Sequence, residues 1–454
     1  MRAFSERNAC GRMRCPGIGI TGRPDTGDGP DRYRSPHASH QLRNPETRDV
    51  MFDRLSRPLA AYGAWCLAQG LVLPWVILYL HRTQGIADLW IGVAMAAMSG
   101  AGALAIPLAA YLQDHCGHAR VLAGALLLYG VAVAAFGVVR TPTTAVMVTA
   151  VVGASGAAVW NAFSTHMVTE SGHWSASQFF GRAFLLQNAG YGLGALASGF
   201  VVRAVPAPFC VLFGVGATIS ELWGVAEGIH AFPLRRAPEL PPRASGDAPT
   251  ASQMPMSLWL ACWVYGIFAM IASGITTVFP LWTTGPVQMP PAMLGWAGGV
   301  NAGAVMATYL LFGRRIASGS HLQWIQTSAV GYAVALGAIF AARYVGRIGS
   351  INLMLLIGMA VVGWAETLLF SSLPAFVNEI VPPAQRGQYN GAINTVWQIG
   401  SIVGPTLAGT LVQQRAWLLM VATIPVWWVP IMGLTRALAR RVLSSAPAPG
   451  TRLH

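Results

Sequence analysis

Three carboxylic acids stand inside long apolar runs of this 454-residue chain. Ionisable groups in hydrocarbon cost several kcal/mol unless they are paired or neutralised, so such positions usually carry function. Glu366, in Gly363-Trp364-Ala365-Glu366-Thr367, falls near the middle of its run, and Glu221 is similarly central in another. Apolar surroundings favour the neutral form of a carboxyl, so Glu366 and Glu221 are candidate proton-coupling residues. Glu227 lies nearer the end of the run it shares with Glu221 and reads as snorkelling to the interface. Uncharged hydrogen-bonding groups fall at similar depth, at Gln69, Asn161, Gln187, Asn188, Asn301, Asn394 and Gln398. Of these, Gln69, Asn161, Asn188, Asn301, Asn394 and Gln398 are candidates for the lining of a ligand cavity. Trp397, with Trp364, Trp263 and Tyr265, could supply aromatic walls for an amphipathic molecule. The plain alternative for any one aromatic is a place against lipid.

These side chains are held by twelve apolar stretches, most of them near the roughly 20 residues that a helix needs to cross a bilayer. Six lie at about Leu59 to Leu80, Trp90 to Leu112, Val121 to Val139, Thr143 to Met167, Ala183 to Val205 and Pro208 to Ile229. Six more lie at about Leu258 to Trp282, Met293 to Phe312, Leu322 to Ala342, Ile351 to Val377, Tyr389 to Val412 and Trp417 to Leu438. The third and fourth are parted only by Arg140-Thr141-Pro142 and could form one fused hairpin. Together they predict an all-α membrane protein with 12 transmembrane helices in two six-helix halves. The halves would span residues 51–231 and 258–440, joined by a polar, proline-rich linker at 232–257 and followed by a disordered tail at 441–454.

Composition points the same way. Only 10% of residues are charged, 54% are hydrophobic, and the mean hydropathy is +0.51, whereas a soluble domain carries about 25% charged residues. The net charge is +13, but all 29 basic residues are Arg in tails and short loops. No Arg-rich patch interleaved with aromatics offers a nucleic-acid surface. The six cysteines, Cys10, Cys15, Cys66, Cys116, Cys210 and Cys262, are scattered and read as packing residues, with no metal site and no cofactor implied. Residues 1–50 are rich in Arg, Asp, Gly and Pro and cannot bury enough surface to fold. Met51 opens a short basic lead into the first stretch, so this tail is either a disordered extension or a start-site artefact.

Positively charged loops stay on the cytoplasmic side of a membrane. With both termini inside, the inner set is Arg54, Arg57, Arg120, Arg182, Arg235, Arg236, Arg243, Arg314, Arg315, Arg386, Arg436, Arg440 and Arg441. The outer set is Arg82, Arg140, Arg203, Arg343, Arg347 and Arg415. Thirteen against six favours cytoplasmic termini. The halves also repeat in sequence. Phe179-Phe180-Gly181-Arg182 through Gly190, Gly194 and Gly199 matches Tyr389-Asn390-Gly391-Ala392 through Gly400, Gly404 and Gly409 at a shift of 210, and Asn188 answers Gln398. Small residues let membrane helices pack closely, so these glycines, with Pro405, are read as helix-packing positions. Repeats of this kind build many transporters, with the site between the halves near the midplane.

The loop after the second stretch reads Ala110-Tyr111-Leu112-Gln113-Asp114-His115-Cys116-Gly117-His118-Ala119-Arg120-Val121-Leu122. It resembles the signature loop of the major facilitator superfamily, with Leu112, Asp114, Gly117 and Leu122 in register. Ala110 replaces its first glycine, and His115 and His118 hold two basic positions. A second copy keeps only Gly313-Arg314-Arg315 and Ser318-Gly319-Ser320. The run Val381-Pro382-Pro383-Ala384-Gln385-Arg386-Gly387-Gln388-Tyr389-Asn390-Gly391, with Gly400, Gly404, Pro405 and Gly409 after it, is similar to the drug-efflux members. The resemblance covers about residues 57 to 440. It implies a fold of two pseudo-symmetric halves and a conformational-switch role for Leu112, Asp114, Gly117 and Arg120. In the family, the Asp meets the amino end of the eleventh helix when the cytoplasmic side is closed, where a carboxylate is favoured by the helix dipole.

The expectation is therefore a secondary transporter working by alternating access in the cell membrane, most simply a monomer. Its partners would be the bilayer, a small amphipathic or drug-like substrate moved by efflux, and protons exchanged at Glu366 or Glu221. The first stretch has no acid and the fourth no arginine, although many proton-coupled drug exporters of that family carry them there. An uptake permease for a sugar, nucleoside or aromatic acid, as symporter or facilitator, stays open. A non-transporting sensor is a remoter reading, and so is a membrane-embedded enzyme, since the outer loops are nearly acid-free. Without lysine there is no Gly-x-x-x-x-Gly-Lys phosphate loop, so the chain is no ATP-driven pump.

Overall fold

The computed structural model describes residues 45–170, 176–231, 256–344, 348–381 and 386–445. Residues Met1–Met51 and Phe52–His454 are separate units, and the packing below is that of the second. Twelve α-helices are found among the described residues. The first six are α1 (Pro45–Leu78), α2 (Asp88–Cys116), α3 (His118–Ala134), α4 (Pro142–Glu170), α5 (Ala176–Ala204) and α6 (Pro208–Ala231). The second six are α7 (Met256–Thr284), α8 (Met293–Ser318), α9 (His321–Ala341), α10 (Ile348–Ile380), α11 (Arg386–Gln413) and α12 (Trp417–Ser445). The expected linker and both expected tails fall largely outside the described residues.

Two short breaks show how local chemistry sets the helix count. α2 and α3 are parted by Gly117 alone, at φ 88°, a left-handed conformation that glycine adopts without strain. The signature-loop glycine is thus a backbone requirement. Between α3 and α4 the chain makes a short 3-10 turn at Ala135–Val138. Thr141 then caps α4, its Oγ1 accepting the Thr144 N–H at 3.2 Å, and Pro142 takes the first helical position, where its missing N–H is no loss. The tight Arg140-Thr141-Pro142 link is therefore a true turn between two helices.

Eight described helices are long and apolar enough to cross a membrane by composition alone. The other four are α5, α8, α11 and α12. The first three of these carry most of the amides and many of the close-packing glycines. Lipid tails give helices no hydrophobic reason to associate, so close backbone packing must hold them together. In the first half α2 packs on α4, α3 on α6 and α3 on α4; in the second, α8 packs on α10, α9 on α12 and α9 on α10. The same pairings recur six helices later, which is the repeat expressed as structure. Gly190 and Gly194 of α5 lie on α1, a Cβ at Gly190 falling 2.9 Å from Gly63 O. Gly400 and Gly404 of α11 lie on α7 in the same way, a Cβ at Gly400 falling 2.7 Å from Ala269 Cβ.

The halves meet along two seams, α2 with α11 and α5 with α8, again related by the repeat. A Cβ at Gly409 would overlap Asp88 O and lie 3.0 Å from Gly92 Cα; a Cβ at Gly295 would lie 2.7 Å from Gly199 Cα. Both approaches are at the end of the bundle where α2 begins, here called the Asp88 end. Two hydrogen bonds cross between the halves at that end. Arg82 Nη2 donates to Thr284 O at 2.6 Å, and Gln413 Oε1 accepts the Leu89 N–H at 2.9 Å, satisfying a free donor at the start of α2. His81 Nδ1 lies 2.8 Å from Asp88 Oδ1 beside them.

Arg82 supplies the one charged donor of this pair of crossings, a class of hydrogen bond worth about 1.5–3 kcal/mol. Arg82→Ala is expected to loosen the Asp88 end. Spin labels at Thr83 and Pro290, in a background without the exposed native cysteines, should then report a longer and broader separation.

Candidate functional site

Glu366 is placed by glycine first. One turn earlier on α10, a Cβ at Gly363 would overlap Asn301 O and lie 3.1 Å from Asn301 Nδ2, so α10 and α8 touch backbone to backbone. Asn301 is held there, its Nδ2 donating to Met359 O at 3.3 Å and, at a longer 3.5 Å, to Glu366 Oε2. Thr367 Oγ1 donates to Gly363 O at 2.9 Å and reaches Val305 O of α8 at 3.4 Å. Ser328 Oγ of α9 donates to Ala365 O at 2.7 Å. The acid therefore sits half-buried on a helix tied to both neighbours.

Two tyrosines complete its surroundings. Tyr332 of α9 is fully buried, its hydroxyl has no hydrogen-bond partner, and it lies within electrostatic range of Glu366. Tyr191 of α5, from the other half, also lies within that range. One turn further along α10, Phe370 meets Trp397 of α11 at 5.1 Å between ring centroids, and Trp397 meets Tyr265 of α7 at 4.8 Å. An acid, an amide and an aromatic wall thus share one region of the second half.

The other sequence candidates are spread more widely. Glu221 is half-buried where α6 packs on α3, and a Cβ at Gly130 would lie 2.5 Å from its Cγ. Gly130 makes room for this acid between two helices that take no part in the seams. Glu227 does not snorkel: it is 5% exposed, its Oε1 has no hydrogen-bond partner, and Arg57 of α1 lies within range of its charge. Gln69 is half-buried on α1 and Gln398 on α11. Asn188 is half-buried and donates back to Phe184 O at 2.9 Å. Gln187 and Asn394 are exposed. Trp364 packs into the α9–α10 interface, 2.9 Å from where a Cβ at Gly331 would be. Trp263 is exposed on a flank groove between α7 and α12, with Trp259, Leu260 and Pro430.

Asn161 is not at mid-depth. It lies toward the far end of α4, where its Oδ1 accepts Gln113 Nε2 at 2.6 Å. Gln113, a loop residue that the sequence does not single out, is buried and joins three helices. Its Nε2 also donates to Ala109 O at 3.1 Å, and its Oε1 faces His118 Nδ1 at 3.1 Å at the start of α3. Asp114, its neighbour, is exposed, with no hydrogen bond or ion pair among the described residues. Leu112 is 39% exposed, and Arg120 Nη1 approaches Cys116 O at 3.5 Å. Among the described residues, then, Asp114 makes no polar contact with α11 in a structure whose halves are bonded across the Asp88 end. No group of three or more metal-ligating side chains occurs among the described residues.

Comparison with known proteins adds the following. Residues 261–449 match the sequence model of the Major Facilitator Superfamily. A stretch of 124 residues is 25% identical to the efflux pump aflT of Aspergillus parasiticus, and this match covers 27% of the chain and 23% of that protein's length. The crystal structure of the nucleoside transporter NupG aligns with a TM-score of 0.63 at 14% identity, over 87% of this chain and 99% of that one. A bacterial homolog of the human lysosomal transporter Spinster, in an inward-facing and occupied conformation, aligns with a TM-score of 0.66 at 14% identity, over 89% and 99%. At such identities the structural likeness speaks for the fold alone. The family match lies in the second half, and the first half repeats the helix pairings of the second, so in sequence pattern and in fold the chain is similar to the transporters of the Major Facilitator Superfamily.

Proposed function

We propose that the chain is a proton-coupled secondary transporter that exports a small amphipathic molecule by alternating access across the cell membrane, acting as a monomer with both termini in the cytoplasm. The observation that carries this reading is the grouping of Glu366 and Asn301 with the aromatic trio Phe370, Trp397 and Tyr265. The trio would hold an apolar body, and the acid and amide would hold a polar group or a proton. Of the two candidate acids, Glu366 is assigned the coupling role because a residue of the opposite half lies within range of it, whereas Glu221 faces α3. The positive-inside bias puts the Asp88 end outside, so the conformation described is closed outside. Asp114 and its loop are assigned to the cytoplasmic gate, where Asp114 would contact α11 in the opposite state. The match to a fungal efflux pump supports export.

Uptake of a nucleoside-like solute is the second reading, favoured by the fold shared with NupG and by the amides at Asn301 and Gln398. Expressing cells loaded with a labelled panel of amphipathic drugs, nucleosides and sugars would decide between them. Export predicts faster loss of an amphipathic compound, abolished when an ionophore collapses the proton gradient. Accumulation of a nucleoside instead would establish uptake, and no movement of any compound would overturn both.

A further inference from the structure

Between the halves, one tyrosine of the first half lies within electrostatic range of the acid of the second. Tyr191 is fixed from two sides by residues that lack a side chain. A Cβ at Gly70 of α1 would overlap its backbone carbonyl, and its ring carbon Cε1 lies 3.9 Å from where a Cβ at Gly298 of α8 would be. Neighbouring Gly192 presses on Ala302 of α8 at a notional 2.7 Å, so α5 meets α8 here on the face adjoining Asn301. Asn301 is the residue that touches Glu366. On its own side Tyr191 lies within range of Tyr129 of α3, a buried tyrosine whose hydroxyl has no hydrogen-bond partner. Tyr191 thus stands between an unpartnered hydroxyl of one half and the acid of the other.

We propose that Tyr191 is the positioning residue through which the first half senses Glu366, its hydroxyl acting on the carboxyl while the α5–α8 seam is closed and leaving it when the seam parts. This rests on the reading of Glu366 as the proton carrier. The other groups named around Glu366 come from the second half. α8 supplies Asn301 and α9 supplies Tyr332, while α7 contains no charged residue and its Tyr265 packs, tilted, against Trp397 of α11. A group that interacts with the carboxyl in one conformation only must, by linkage, make conformation depend on protonation and protonation depend on conformation.

The test is infrared difference spectroscopy of the full chain in liposomes as the pH is stepped. The carboxyl C=O band of Glu366 is identified as the band lost in Glu366→Gln. Tyr191→Phe keeps the ring against Gly298 and removes only the hydroxyl, so the band is expected to persist and shift to higher frequency, as for a carboxyl that has lost a hydrogen-bond donor. Tyr309→Phe, on the same seam where Tyr309 meets Gly181, should leave it in place. A band present in the wild type but unmoved by Tyr191→Phe, with thermal stability unchanged, overturns the assignment of Tyr191 alone. If no band is lost in Glu366→Gln, the proton-carrier reading falls and this one with it.

Discussion

Gly409→Leu is expected to abolish transport without unfolding the protein. Gly409 faces α2 of the other half, where a Cβ would overlap Asp88 O and crowd Gly92. A bulky side chain there is a wedge in the seam, not in either half. Overpacking a well-packed contact costs about 1–3 kcal/mol, which shifts a two-state equilibrium by about 5- to 150-fold. Since alternating access needs the two states to be close in energy, the variant should be held with its Asp88 end parted. Transport should fall to about a tenth or less, equivalent to about 1.4 kcal/mol or more. The labels at Thr83 and Pro290 should read a longer separation, while the melting temperature stays near that of the wild type.

The contrast with Gly400→Leu sharpens the point. Gly400 is on the same helix, but a Cβ there meets Ala269 Cβ and Met270 N of α7, within one half. That variant should lose stability and yield, because no alternative conformation relieves the clash. Gly337, which has open space around it, should accept Leu. Wild-type transport in Gly409→Leu would mean that the seam does not close during the cycle.

Hydropathy made the helices legible and left the site half hidden. The apolar stretch from about Leu59 lies inside a helix that runs Pro45–Leu78 and continues as a π-helical turn, Tyr79–Thr83, because apolarity ends where water begins and backbone hydrogen bonding does not. The glycine repeat was readable because close backbone approach admits no other residue. The depth of Asn161 is not legible, since an amide gives no signal of its position along a helix; at about 1.5 Å per residue, its nineteen steps from Pro142 carry it toward the Asp114 end. The burial of Glu227 is not legible in the sequence, because Arg57, whose charge lies within range of it, is remote along the chain. Tyr191 and Tyr332 carried no signal at all. A tyrosine in an apolar run looks like any other aromatic until folding brings it within electrostatic range of a carboxyl.

Glu366→Gln should separate proton coupling from binding. Glutamine keeps the shape of the side chain and an oxygen to accept from Asn301 Nδ2, but it cannot exchange a proton. If Glu366 carries the coupling, uphill transport driven by an inward proton gradient in proteoliposomes falls to about a tenth or less of wild type, a loss of about 1.4 kcal/mol or more of coupling free energy. Exchange of labelled for unlabelled substrate at equal concentrations should persist, because that half-cycle needs no net proton movement. Its rate should also become independent of pH, since the group whose charge would change has been removed. Glu221→Gln, between α3 and α6, should leave both assays as in the wild type. The reverse pattern, coupling lost in Glu221→Gln and kept in Glu366→Gln, would move the proton site to the α3–α6 interface. Loss of exchange along with coupling in Glu366→Gln would mean that the carboxyl binds the substrate itself. Unchanged coupling in both variants would make the chain a facilitator, moving its substrate down a gradient through the same two seams.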